Sequence, residues 1–393
     1  MRVSGIAPAT RVAATVATLL MPCFGAAACG SSSSSSSTSG SASTATASAD
    51  PGAAAISAAE AAVAKYSHNP PPIELPPVGK PIPKNVTIDF ISVDTPSIGP
   101  LNSGVLQGAK ALGWNVKIET PSAITPQGYI SALQSAVAQK PAGLIFFTPL
   151  PLSSFQTELT KLQAEGVPIV TAGAANYPVG GSSPVKADTS GANIFGPLAQ
   201  LLADGVIAAA KGTPPDVGWV VDSSVPAWTV MTTDFTNTIK AAGGTAHVFN
   251  VPESAIGSTS GSTIVSDLEA NPGIKYLCLV VGAYDTGLET ALATAGLANK
   301  VIISDTDAAS TDIQGVKDGQ LSDTIVIETN TDGLREVDLM ARLLAHTNLP
   351  YVHVPSDFLY VTKSNINLVG SNTQLYAFPD DFSSFQTAWG VKG

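Results

Sequence analysis

From Val86 to Asp305 the chain repeats one unit: a short apolar run, a turn, a helical stretch, then another apolar run. The first runs are VTIDFISVD (86–94), NVKIET (115–120), AGLIFFTPL (142–150) and VPIVTAGA (167–174). Helices fit between them at 103–113, 125–140 and 153–166, two closed by Gly113 and Gly166. Thr125 stands as the N-cap of the second, with Pro126 at its first position. AGLIFFTPL is continuously apolar, which suits a strand buried on both faces. A strand–helix–strand step of about 30 residues means parallel strands wound by right-handed crossovers.

The rhythm breaks at ANYPVGGSSPVKADTSGA (175–192) and then resumes. Helices follow at 194–211, 229–242, 262–270 and 285–296, with strands at 216–222, 245–251, 274–281 and 300–305. Two α/β sets joined near Asp188 are expected. Neither opens on a nucleotide fingerprint: G-x-G-x-x-G and G-x-x-x-x-G-K-[ST] are absent, and GSTSGS (257–262) carries no Lys.

The residues before the alternation have another character. Arg2 and Arg11 bracket a short basic region, and VAATVATLLMPCFG is far shorter than the ~20 apolar residues that span a bilayer. Small residues follow at Ala26–Ala28, so 1–28 reads as an export signal. Cys29 is then either an ordinary first residue or the acylated one of a bacterial lipoprotein, whose signals this segment resembles. Ala26 departs from that pattern, where Leu is usual; Cys23 lacks the small residues before it. Residues 30–50 are almost all Ser, Thr, Gly and Ala and behave as a flexible coil. Residues 52–66 favour a short helix, and SHNPPPIELPPVGKPIPKN is stiff and extended. Together 29–83 read as a tether that holds the folded part off a membrane.

Composition removes several function classes. The net charge is −11 and no Lys/Arg cluster occurs, so no basic face exists for nucleic acid. Charged residues make up 12 %, about half the usual share, so the surface must rely on Ser, Thr, Gly and Asn. Of three cysteines only Cys278 falls inside the fold, in the apolar run IKYLCLVV, and it reads as core. His68, His247, His346 and His353 show no metal-ligand spacing, and no G-x-S-x-G turn follows a strand. The expectation is a chain with no catalytic residues, no metal and no cofactor.

Open α/β sheets bind ligands beyond the carboxyl ends of their strands. IISDTDAAS (302–310) ends such a strand, and alternation puts Asp305 and Asp307 on one side. Thr311 and Gln314 form a capping box for a helix at 311–318, which leaves Asp307 for a ligand. Trp228 follows a strand end and opens a helix, where it can stack on a ligand or pack locally. Tyr284 occupies the matching place in VGAYDTG, and Ser97 with Ile98 in VDTPSIGP. Trp219 reads as core, and Trp389 as a staple for the C-terminus.

VTIDFISVDTPSIGPLNSGVLQGAKALGWNV, AGLIFFTP, GVPIVTAG, ALATAG and GVKDGQLSDTI stand in an order that resembles the type I periplasmic binding proteins. Within these the chain is similar to the ribose-binding group that serves ABC importers, over roughly residues 84–365. The resemblance implies two doubly wound parallel-sheet lobes joined by a three-segment hinge, with a ligand cleft between them. The crossings would fall near Asp188, Glu328 and Asp357. The lobes would be 84–188 plus 328–357 and 189–327 plus 358–393. It further implies an exported monomer on the outer face of the cytoplasmic membrane that passes a small molecule to an ABC permease. A sensory module for a membrane receptor is the alternative, and an exported enzyme a remote one. Where sugar binders carry charged or amide side chains, this chain has Gly173, Ala174, Met231 and Ile327; the strand-end acid is kept as Asp307. Such a pocket would be more apolar than a pentose site.

Overall fold

The computed structural model describes residues 51–393 apart from 72, 94, 96–97, 174–176, 190–191, 352–357, 370–380 and 392–393. The chain enters through helix α1 (Pro51–Tyr66). It then builds strands β1 (Thr87–Ile91), β2 (Asn115–Glu119), β3 (Gly143–Phe147), β4 (Ile169–Ala172) and β5 (Val185–Asp188). These form one parallel sheet in the order β2-β1-β3-β4-β5. The crossovers are α2 (Gly99–Leu112), α3 (Pro126–Gln139) and α4 (Gln156–Ala164). Thr125 caps α3 by accepting the Gly128 N–H at 3.3 Å. Alternation along the strands divides the core. Ile88, Phe90 and Ile145 face α2, whereas Ile91, Leu144 and Phe146 face α3 and α4.

The second lobe contains helices α5 (Ala192–Ala209), α6 (Pro226–Ala241), α7 (Ser260–Ala270), α8 (Leu288–Thr294) and α9 (Ser310–Asp318). Its strands are β6 (Asp216–Val221), β7 (Thr245–Asn250), β8 (Tyr276–Leu279), β9 (Ile302–Thr306), β10 (Asp323–Ile327) and β11 (Phe358–Thr362). The sheet order is β11-β10-β9-β8-β6-β7, with only β11 antiparallel to its neighbour. Trp219 of β6 is fully buried and stacks on Phe235, with ring centroids 4.3 Å apart. Cys278 is a buried free thiol, and burial pushes its pKa up. No helix among the described residues is long and apolar enough to cross a membrane.

Helix α10 (Thr329–Leu344) follows β10 but returns to the first lobe, where it packs on α2. A Cβ on Gly104 would strike the Asn330 carbonyl oxygen, and one on Gly333 the Leu101 carbonyl oxygen. The two glycines therefore let α2 and α10 approach backbone to backbone.

Three sequence expectations need correction. The irregular passage 175–192 contains β5, the edge strand of the first sheet. Helix α11 (Asp381–Trp389) belongs with the first lobe, because Phe385, Ala388 and Trp389 join the core of α2 and α10. The chain thus passes between lobes again after β11, and assigning all of 358–393 to the second lobe does not hold. Residues 51–83 are no free spacer either: α1 lies on α5, and Val78 is 4 % exposed in the first lobe's core. Ala55, Ile56, Ala59, Ala62, Val63 and Tyr66 give α1 an apolar face at helical spacing, and burying that face outweighs solvating it. Residues 1–50, with the expected export signal and Cys29, lie outside the described part.

Candidate functional site

The carboxyl ends of β1, β3 and β4 in one lobe, and of β6, β8 and β9 in the other, lead into the loops where an α/β sheet takes a ligand. The hinge between them is built from buried polar side chains. Thr171 Oγ1 donates to Asp188 at 3.1 Å, and Thr189 Oγ1 to Glu336 of α10 at 3.3 Å. At the next crossing Glu328 caps α10 by accepting the Thr331 N–H at 2.6 Å, and Thr331 Oγ1 donates to Asp381 at 2.8 Å. Burial pushes the carboxyls of Glu328 and Glu336 well above the usual range, with Asp332 nearby adding to the effect.

Asp307 follows the last residue of β9 and takes a left-handed backbone, φ 55°. That conformation is uncommon for a residue other than Gly, Asn or Asp. It breaks the alternation, so Asp305 and Asp307 do not share a face in the way the sequence suggests. Asp305 is fully buried, whereas Asp307 is partly exposed. Burial raises the Asp307 carboxyl to about 6, which leaves it ionised at neutral pH. Asp305 is pushed well up by burial first, then by the charges of Asp312 and Asp285.

Trp228, in the first turn of α6, is partly exposed, and its ring centroid lies 6.3 Å from that of Tyr284. Tyr284 itself turns inward. The short 3-10 turn Gly282–Asp285 buries its ring completely, and its hydroxyl donates to the Val251 carbonyl at 2.6 Å. Met231 is likewise core, 1 % exposed beside Phe235. Neither side chain offers surface to a cleft, which corrects the expectation for both. Ile98 before α2 and Ile327 at the end of β10 are partly exposed. Gly173 has φ 79°, and a Cβ there would meet Phe147 and the Thr148 carbonyl oxygen at 2.9 Å, so its glycine answers a steric need. Ser97 and Ala174 lie outside the described residues.

Sequence reasoning missed the carboxyl pair behind this wall. Asp312 accepts the Ala309 N–H at 2.6 Å, so α9 is capped at Ala309, two residues before the Thr311 of the expected box. Asp285 hydrogen-bonds Asp312, and burial raises both carboxyls. The signal was the Asp three residues after Ala309. Among the described residues no group of three or more His, Cys, Asp or Glu side chains is arranged to hold a metal ion.

Residues 82–348 match the family described as periplasmic binding protein domain. No curated protein matches the sequence. Among solved structures the chain is similar to a periplasmic ribose ABC transporter protein from Conexibacter woesei, at 17 % identity and a TM-score of 0.64. That match covers 74 % of this chain and 95 % of the other. It is also similar to the 5-methylthioribose transporter solute-binding protein from Thermotoga lettingae in complex with 5-methylthioribose. There the identity is 14 %, the TM-score 0.63, and the coverage 79 % of this chain and 96 % of the other. A third is GanP, a glucose-galactose binding protein from Geobacillus stearothermophilus, at 17 % identity and TM-score 0.62, covering 72 % and 99 %. These likenesses show the two-lobed fold, and the family match covers well over half of the chain; α1 and almost all of the proline strip precede it. The chain therefore belongs to the periplasmic binding protein family, whose members bind solutes outside the cytoplasm.

Proposed function

We propose that the protein captures a small solute by closing its two lobes over it, and delivers it to an ABC permease while held to the membrane through an acylated Cys29. The observation that carries the reading is the architecture: two open sheets whose strand ends meet at a hinge crossed by single polar segments. Such lobes can rotate about the hinge, and a ligand that touches both favours the closed population by its differential affinity.

The chemistry of the loops supports a solute less polar than a simple pentose. The segments beyond the strand ends, 92–98, 148–151, 173–176, 222–225, 280–287 and 307–309, contain no Lys or Arg. A sugar's hydroxyls are usually held by charged, often bidentate donors, and an unpaired buried hydroxyl costs roughly 1–3 kcal/mol. Asp307 is ionised and can only accept, so it suits a ligand hydroxyl or amine. Trp228 offers a flat apolar surface, where burial contributes about 25 cal/mol per Å². A deoxy or thio-substituted sugar, or an aromatic solute with one or two polar groups, fits this set. The similar protein in complex with 5-methylthioribose supports the first of these.

A thermal-shift screen of such solutes, followed by calorimetry, tests the reading. Asp307→Ala and Trp228→Ala should each weaken binding tenfold or more, about 1.4 kcal/mol, without unfolding the protein. Tighter binding of ribose than of any less polar solute would overturn the ligand class, and unchanged affinity in both variants would overturn the site. For the anchor, Cys29→Ser should move the exported protein from the membrane fraction to the soluble one. Wild type found wholly soluble with an unmodified Cys29 would overturn that part.

A further inference from the structure

The turn after β8 and the loop after β9 follow neighbouring strand ends of the second lobe, and one carboxyl touches both. Asp312, in the first turn of α9, is 1 % exposed. It accepts the Ala309 N–H at 2.6 Å and so fixes the end of the loop that carries Asp307. On its other side lies the 3-10 turn Gly282–Asp285. A Cβ on Gly282 would strike the Asp312 carboxylate, so glycine is what lets the turn come this close. Asp285, at the end of the same turn, is partly exposed and hydrogen-bonds the Asp312 carboxyl. An ionised carboxylate only accepts, so a hydrogen bond between two carboxyls needs a proton on one of them.

The surroundings are acidic. Asp305 of β9 and Asp307 just after it add negative charge around the pair, with Asp323 of β10 acting on Asp305. Asp222 and Glu253 act on Tyr284 in the same turn. The packed helices α7 and α8 carry acids alone, Asp267, Glu269 and Glu289, while β11 and the turn Ile366–Leu368 carry no charge. Residues 276–299 and 301–316 contain no Lys, Arg or His. The base of α9, Lys317, sits in its last turn.

We propose that Asp312 is a positioning residue for the ligand site, holding the Asp307 loop and the Gly282–Asp285 turn together through a proton shared with Asp285, and that the turn lets go when this proton leaves. Burial raises the Asp312 carboxyl to about 7 and raises that of Asp285 as well, so the loss falls near neutral pH. Above it, two like charges face each other away from water. Asp312 keeps its place, because its charge strengthens the bond from the Ala309 N–H. Asp285 can turn to solvent and draw its turn along, which disturbs Tyr284 and the Trp228 ring beside it. The inference rests on Asp307 and Trp228 as ligand contacts, and adds that the solute is held less tightly as pH rises through 7.

The test uses no ligand, so it holds or fails separately from that reading. NMR of the unliganded protein follows the Ala309 amide, whose shift should show a step centred near pH 7. Over the same range the Tyr284 amide, which donates to the Val281 carbonyl at 3.3 Å, should lose about tenfold in protection against hydrogen exchange, corrected for the intrinsic rate. Asp285→Asn keeps a donor there without the shared proton, so it should abolish both changes. Asp312→Asn, whose side-chain oxygen can still cap Ala309, should do the same. Asp307→Asn should leave both in place, because Asp307 titrates at about 6. No step between pH 6 and 8 in the wild type, or one that survives Asp285→Asn, would overturn the shared proton. A step at Ala309 with unchanged protection at Tyr284 would overturn the coupling of the two segments.

Discussion

Asp338→Ala is expected to destabilise the protein by about 3–5 kcal/mol, the cost of leaving a buried cation without its partner. Asp338 accepts from Arg342 Nε at 2.8 Å and from Trp389 Nε1 at 2.9 Å, and the side chains of Arg342 and Asp338 are 2 % and 0 % exposed. Arg342 also holds the Pro76 carbonyl. One carboxylate therefore joins α10, α11 and the proline strip, and its loss strands two buried donors at once. Urea unfolding measures the effect; a change below about 1 kcal/mol would contradict the network. The double variant Asp338→Leu with Arg342→Leu should recover much of the loss, since apolar replacement of a whole buried pair is often nearly neutral.

The second large effect is one of pH. Asp89 sits in the middle of β1, fully buried, and neither carboxylate oxygen has a hydrogen-bond partner among the described residues. Burial raises its pKa from 3.8 to about 6, with Lys117 working against the rise and Glu119 with it. The unfolded chain loses this proton near pH 4 and the native protein keeps it to about pH 6. The unfolded state thus binds fewer protons across that window, and stability falls as pH rises through it. The cost above pH 6 is roughly 2–3 kcal/mol. Asp89→Asn imitates the protonated form, so it should stabilise the protein by that amount at pH 7.5 and be near neutral at pH 4. An equal effect at both pH values would contradict the assignment. Asp204, which burial also raises to about 6, acts in the same direction.

Most of the sheet strands were legible as short runs bounded by turns, whereas β5, VKAD, was hidden in an irregular passage. β3 is GLIFF, buried along all but its last residue, and no other element type suits it. The helix caps at Thr125 and Gly113 were equally local. The docking of α1 was harder to see, since its Ala-rich composition suggests a solvated helix and only the spacing of Ile56, Ala59, Val63 and Tyr66 betrays a buried face. Contacts such as Asp338 with Trp389, or Arg342 with Pro76, depend on where distant segments land, and no local pattern encodes them. The burial of Tyr284 was hidden for a subtler reason. A residue after a strand can point into the cleft or fold back on the core, and the choice lies in one turn of backbone. Tyr284 took the inward course in its 3-10 turn, whereas Asp307, with its left-handed φ, stays partly exposed.

Small-angle scattering of the mature protein, with and without a solute that raises its melting temperature, tests the central claim most directly. Closure of two lobes over a ligand should reduce the radius of gyration, and Asp307→Ala should require about tenfold more solute to reach the same compaction. A solute that binds tightly yet leaves the scattering profile unchanged would contradict capture by cleft closure.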